Sequence, residues 1–369
     1  MIQLLTLAII LLSLLFLAFL IKKKNSPYIS AKLMWLTFFY HTLFSYAYYK
    51  ISLTKGADSI WYFESTREES VSYTIGGANF IRFILSHLPE FNYLSFTLLF
   101  GFFGLIGIWL LIIIINENSI IKDKRTKLML LAAMLLPGIN YWTSSLGKDS
   151  LIFFAIMLGI YAISNLKNRL IFLAVSILLT LHIRPHIAIA FILSFFLTLL
   201  LNSELPKARK LLLLLAGGIS IAFMTTLVSN FVGVDITQLS QITDKIEEQG
   251  TRNISSNTSY HLAASNPLFR VFTYLYRPLF YDASTLLHAV FSIENFIYLS
   301  MFFYILHALL KRKLKYNFLA FFLLIYFSAM TLLLSQTTAN IGIALRQKTM
   351  FISAVTILFF MIYTRKKYK

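Results

Sequence analysis

The sequence predicts an all-α, polytopic transmembrane helix bundle of about eleven spans, with its N-terminus outside and its C-terminus in the cytoplasm. Three observations carry this expectation. Hydrophobic residues make up 58% of the 369-residue chain and charged residues only 13%, with a mean hydropathy of +0.74, which leaves too little polar surface for a soluble fold. Apolar runs repeatedly reach the roughly 20 residues that a helix needs to cross a bilayer, without the alternation over about 10 that marks a membrane β-barrel. Lysine and arginine, finally, collect on alternate loops.

The spans are expected at about 2–21, 33–49, 92–115, 127–141, 151–164, 170–182, 187–201, 211–231, 285–310, 317–335 and 348–364. No Lys or Arg precedes the first run and Lys22, Lys23 and Lys24 follow it. That order is the reverse of a cleavable signal peptide, so the run reads as a retained helix. The fourth, fifth and sixth runs are short for a full crossing.

Taking alternate loops as cytoplasmic places 21 of the 33 basic residues inside, from Lys22 to the tail Arg365, Lys366, Lys367 and Lys369. Only Glu117, Asp123 and Glu204 share that side, which therefore holds the whole formal charge of +18. The basic balance is thus a topology signal and gives no support for nucleic-acid binding. The chain contains no cysteine, which excludes disulfides, a thiol nucleophile and a thiolate metal site. No metal and no cofactor are expected. The whole chain, 1–369, reads as one integral membrane domain. Its longest non-spanning stretches, 50–91 and 232–284, both fall outside, the second as a large loop carrying interfacial helices.

Inner loops are short basic runs, whereas outer segments mix Asp, Glu, Arg, His, Asn and Tyr with apolar residues. Ionisable groups at membrane depth are expensive and mark sites or pathways, so function is sought outside. In the first outer segment, Asp58 follows Gly56 and precedes Trp61 and Tyr62. Asp58 is a candidate base and the two aromatics candidate sugar platforms, or the segment is a turn with interfacial anchors. In the connection 141–150, Lys148 stands beside a helix start that attracts phosphate, with Asp149 or Ser150 as the expected cap. Gly138 lies too far before Gly147 for a P-loop. Pro185 suits the first position of a helix, so Arg184 and His186 flank a helix N-terminus. Arg270 and Arg277, two helical turns apart, would share a face if the chain is helical up to Pro278. They then suit a diphosphate headgroup, or an interfacial helix without a substrate. Glu294 sits inside the ninth span, where a carboxylate must pair, share a proton or line a hydrated cavity. Asn340, Arg346 and Lys348 form the last outer cluster.

Arginines at four points with a few carboxylates and histidines match glycosyl transfer from a lipid-linked diphosphate: cations hold the leaving group and a base receives the hydroxyl proton. Asp58, His186 and Glu294 are the candidate bases. Arg184, Arg270, Arg277, Arg346, Lys148 and Lys348 are the candidate diphosphate ligands, and Trp61, Tyr62 and Asn340 the candidate sugar contacts.

Gly56, Asp58 and Tyr62, the Arg-Pro-His at 184–186, the Arg-Pro-Leu-Phe at 277–280 and the Asn-x-Gly with Arg346 resemble O-antigen and exopolysaccharide polymerases. The resemblance implies a metal-independent, inverting membrane glycosyltransferase. Such an enzyme polymerises undecaprenyl-diphosphate-linked repeat units into O-antigen, capsule or exopolysaccharide at the outer face of the bacterial cytoplasmic membrane. It implies a lipid-linked oligosaccharide substrate and, as partners, a repeat-unit flippase and a chain-length regulator. Some members carry an Arg, ten residues and a Gly in two outer loops; here Arg67 reaches Ala78, one past Gly77. Two alternatives stay open: a polyprenyl-linked sugar transferase or O-antigen ligase, and a polysaccharide or lipid transporter.

Overall fold

The computed structural model describes residues 31–68, 71–201, 266–283, 285–311, 317–338 and 340–367, with 211, 212, 215, 217 and 218. The expected span 2–21, most of 211–231 and the outer stretch 232–265 lie outside the described residues. Among the described residues the chain is helical, with no β-strand. It divides into two compact units, residues 1–183 with 363–369, and residues 184–362.

The first unit contains α1 (Ala31–Lys55), α2 (Asp58–Glu68), α3 (Gly77–Ser86), α4 (Tyr93–Asn118), α5 (Lys124–Met134), α6 (Pro137–Thr143), α7 (Lys148–Ile163) and α8 (Leu166–Ile183). Its axis is α4, whose first turn is capped by Asn92 accepting from the Ser95 N–H at 2.8 Å. Its 26 residues reach about 39 Å, more than a hydrocarbon core of about 30 Å. Gly101, Gly104 and Gly107 form a ridge along it. A Cβ at Gly101 would stand 2.5 Å from Ser45 Oγ, one at Gly104 2.0 Å from the Thr143 carbonyl, and one at Gly107 2.6 Å from the Phe153 ring. Small residues of this kind let helix backbones approach closely where lipid supplies no hydrophobic drive.

The expected fourth span, 127–141, is not one helix. Pro137 has no N–H to donate and holds Leu136 extended (φ −61°, ψ 127°), so the segment breaks into α5 and the seven-residue α6. α5 alone is about 16 Å long, roughly half a crossing. α6 and α7 meet at 113°, a broken span or a re-entrant corner. Carbonyls beside the break find donors: Asn140 Nδ2 donates to Met134 O and Leu136 O, each at 2.9 Å, and the Tyr40 hydroxyl to Leu135 O at 3.0 Å. The Asn140 Oδ1 then lies 3.3 Å from His41 Nδ1, and His41 Nε2 lies 2.9 Å from Gly101 O.

α7 and α8 form a hairpin tied by Ser176 Oγ donating to Ala155 O at 2.7 Å. At its turn Arg169 is buried. It donates to both carboxylate oxygens of Glu117 (2.8 and 2.7 Å), to Tyr161 O and to Ser164 Oγ, and its guanidinium lies 3.7 Å from the Tyr161 ring centre. Expected only as orienting charge, Arg169 is therefore also a clamp between α4 and the hairpin.

The second unit contains α9 (Pro185–Leu201), α10 (Pro267–Tyr276), a 3-10 turn (Phe280–Asp282), α11 (Leu286–Leu310), α12 (Phe318–Thr337), α13 (Ile341–Lys348) and most of α14 (Ile352–Lys367). Pro185 opens α9 as expected. Phe191 packs edge-on against Phe322 and Tyr326 of α12. Asn266, Thr285, Asn317 and Asn340 cap the starts of α10 to α13. α13 and α14 meet at 51°, and Tyr326 donates to the Met350 carbonyl beside that bend at 3.2 Å.

Among the described residues four helices, α4, α8, α11 and α12, are long and apolar enough to cross a membrane, or six spans if each bent pair counts as one. The apolar helices identify a membrane protein.

Candidate functional site

The second unit holds the corner that follows α10. Pro267 opens this helix behind the Asn266 cap, and it closes at Tyr276 because Pro278 excludes helical backbone at the residue before it. Arg277 consequently turns extended (φ −89°, ψ 149°), although its N–H still reaches Thr273 O at 3.1 Å. The single helical stripe expected to carry Arg270 and Arg277 is thus interrupted at its second member. The chain turns back through Phe280–Asp282, where the Asp282 carboxylate accepts from Leu279 N at 3.0 Å. The same carboxylate takes two bonds from Arg277, Nε to Oδ2 at 3.0 Å and Nη2 to Oδ1. Partial burial works to raise the Asp282 carboxyl, but the Arg277 hydrogen bonds, the Leu279 N–H and the charges of Arg277 and His288 outweigh it and hold it below the usual carboxylate range. The pair fixes the guanidinium plane while the Arg277 side chain keeps 22% exposure.

Behind this corner lies a buried polar group of residues. The Lys348 ammonium, on a residue 4% exposed, donates to Leu275 O at 2.9 Å and to Asn295 Oδ1 at 2.7 Å. Asn295 Nδ2 in turn donates to Pro278 O at 2.9 Å. Glu294, also buried, interacts electrostatically with Lys348. Lys348, expected as a diphosphate ligand, therefore holds protein atoms. The neighbouring Gln347 accepts from Thr338 Oγ1 at 2.8 Å and from the Tyr274 hydroxyl at 3.4 Å. Asn295 and Gln347 are the polar members that the sequence expectation lacked. Their signal was an amide next to a carboxylate inside an apolar span, and an amide next to a lysine.

These bonds pack α13 onto α10; Arg270 lies on α10, Arg277 at the corner that leads from it to α11, and Arg346 on α13. Arg270 and Arg346 are half-buried. Arg184 precedes α9, its carbonyl accepting from Ile187 N and Ala188 N, with His186 half-buried in the first turn. Asn340, expected as a sugar contact, gives its side-chain oxygen to Gly342 N and Ile343 N as the α13 cap. Around the corner, Phe280 and Tyr281 are 56% and 74% exposed. Two buried hydroxyls nearby, Thr273 Oγ1 and Tyr276, have no hydrogen-bond partner among the described residues.

The remaining candidates belong to the first unit. Asp58 is exposed and begins α2, where its charge suits the helix N-terminus. Trp61 is 49% exposed and lies under the Arg82 guanidinium at 5.1 Å. Tyr62, by contrast, is 2% exposed within an apolar cluster with Ile81, Leu85, Tyr93, Phe96, Phe100 and Leu146, its ring 5.9 Å from the Lys148 ammonium. A buried ring offers no open face for a sugar. Lys148 is the first residue of α7, and the cap is Gly147 (φ +148°) without a side-chain bond. Asp149 and Ser150 thus lie inside the first turn rather than capping it. Residues 143–147, expected as an outer connection, are buried.

Among the described residues no three His, Asp or Glu side chains gather as a metal site. Chemically, the second unit presents the Arg277 guanidinium at a braced corner beside exposed aromatic rings, an arrangement suited to an anionic group attached to an apolar chain. Comparison with protein-family models, curated proteins and solved structures finds no match for this chain.

Proposed function

We propose that this protein is a membrane glycosyltransferase that polymerises undecaprenyl-diphosphate-linked oligosaccharide repeat units at the outer face of the bacterial cytoplasmic membrane. The observation that supports this reading is Arg277, held on Asp282 beside the exposed Phe280 and Tyr281, with Arg270 on α10 and Arg346 on α13 in the same unit. Fixed guanidiniums replace water around a departing diphosphate, and the aromatic rings lie against its prenyl chain. Arg184, at the start of α9 in the same unit, adds a further cation at a helix N-terminus. Asp282 offsets the charge of Arg277, which acts chiefly as an oriented donor.

In this mechanism an acceptor hydroxyl attacks the anomeric carbon, the glycosyl bond to diphosphate breaks with inversion, and the hydroxyl proton passes to a base. His186 is half-buried and adjacent to Arg184 in the chain, whereas Glu294 is closed behind the corner against Lys348. His186 is therefore the stronger base candidate of the second unit, and exposed Asp58 that of the first. The topology that belongs to this proposal is eleven spans, N-terminus outside and C-terminus inside, which sets the corner on the outer face.

Replacing Arg184, Arg270, Arg277 and Arg346 together by Gln in a producing strain should abolish long-chain polysaccharide on a glycan gel while the protein still reaches the membrane. An undiminished ladder would overturn the proposal. Loss of a single sugar from the product, or a finished glycan left unattached, would instead identify the single-sugar transferase or the ligase. A transporter reading draws on the two bent helix pairs, at 113° and 51°, because broken helices at membrane depth line substrate paths in transporters. Accumulation of unpolymerised repeat units on the cytoplasmic side would favour it.

A further inference from the structure

We propose that Lys348 and Asn295 are positioning residues that hold the backbone on both sides of Arg277 and thereby set the guanidinium for its anionic ligand. This inference rests on the reading of Arg277 as part of a diphosphate site. The Lys348 ammonium binds the carbonyl of Leu275, two residues before Arg277, at 2.9 Å. Through Asn295, 2.7 Å from the ammonium, it also holds the carbonyl of Pro278, one residue after, at 2.9 Å. Three helices, α10, α11 and α13, thus meet at one buried cation. Pro278 cannot donate to a helix and Arg277 has left helical geometry, so the corner lacks the ladder that would otherwise orient it. The Asn295 bridge substitutes for that ladder.

Burying an ammonium is costly, and a methionine of similar volume would pack at lower cost if filling space were the only requirement. Glu294 and the two acceptors offset the cost at this one position. What the arrangement secures is direction: with the flanking carbonyls fixed and Asp282 gripping the Nε edge, the guanidinium has one orientation. At 4% exposure Lys348 acts on an anion through Arg277 rather than by touching it.

The test is a double-mutant cycle on the full chain in detergent, with farnesyl diphosphate as the probe and calorimetry as the readout. Arg277→Gln should weaken binding about tenfold, the loss typical of a charged hydrogen bond. Lys348→Met should weaken it to a similar extent in the native background and by less than about twofold once Arg277 is Gln. Asn295→Asp keeps the acceptor for Lys348 and loses the donor to Pro278. It should weaken affinity when Arg277 is present and by less than about twofold once Arg277 is Gln, whatever the change in melting temperature, a dependence that a merely structural role does not produce. If Lys348→Met does not fold, Asn295→Asp with and without Arg277→Gln completes the same cycle. Native affinity in Lys348→Met and Asn295→Asp, with Arg277→Gln weakened, overturns the brace and leaves the diphosphate reading standing. Equal losses in both backgrounds overturn it as well, since they indicate direct contact or general damage. Native affinity in Arg277→Gln, or no binding by the native chain, removes the reading of Arg277 itself.

Discussion

Two of the corners between helices among the described residues, one in each unit, are built by opposite means. The corner at 141–150 is closed: residues 143–147 are buried and the Gly104 ridge meets the Thr143 carbonyl, while at the break just before it uncharged Asn140 donates to Met134 O and Leu136 O. The corner at 277–282 is braced by charges, with Arg277 on Asp282 and Lys348 behind, and carries exposed rings on its rim. The second starts from a proline that breaks a helix, whereas in the first the chain turns through residues 144–147 after α6. The difference is that small and neutral side chains let the first corner sink into its unit. Long cationic ones hold the second in shape while leaving its edge accessible.

The closed corner should break most severely. Gly104→Val pushes side-chain atoms into the Thr143 backbone, which has no rotamer by which to yield, and should cost about 3 kcal/mol or more. Thermal unfolding in detergent and the yield of monodisperse protein measure it. A native melting temperature would mean that the ridge does not seat the corner. Asn140→Leu comes next, at the break before α6: the Met134 carbonyl loses its side-chain donor and Leu136 O is left with the backbone N–H of residue 140, for an expected loss of about 1–3 kcal/mol. If that variant unfolds like the native chain, other donors serve those carbonyls.

The charged corner should show a smaller effect, and only in acid. The Asp282 carboxyl titrates below its ordinary value when folded. Its contribution is therefore present above the unfolded carboxylate pKa of about 4 and lost as pH falls through the lower folded value. Melting temperature measured from pH 6 downward should fall in the native chain and fall less in Arg277→Gln, which removes the partner. Parallel curves would assign the acid loss to other carboxylates. Least of all should Tyr281→Ser matter to stability, by less than about 0.5 kcal/mol, because the side chain is 74% exposed. A larger loss would show that the rim is part of the packing.

Much of the fold was legible because its signals are local. Helix class and membrane character follow from composition and run length, and the start of α9 from Pro185 alone. The failures have a common cause in interactions with distant partners. The span expected at 127–141 looked continuous because apolar content continues through Pro137; contacts from Asn140, Tyr40 and His41 accommodate the break. Tyr62 looked like an interfacial ring because it follows Asp58 and Trp61, yet Ile81, Phe96 and Leu146 close over it. Lys348 looked like a ligand cation because it stands near Arg346, and its partners are 53 and 73 residues away. Arg169 looked like orienting charge, and Glu117, 52 residues distant, makes it a clamp.

By itself, then, the sequence determined a helical chain with apolar segments long enough to cross a membrane, because helix formation and apolar burial depend on residues within a few turns of one another. The tertiary structure decided which charges serve the fold and which stay near the surface. That choice depends on whether a carbonyl or carboxylate from another helix arrives within about 3 Å, a distance that no local pattern encodes. Arg277 and Lys348 are both basic residues of the second unit; one keeps an exposed edge and the other is enclosed, and only the packing of α10, α11 and α13 separates them.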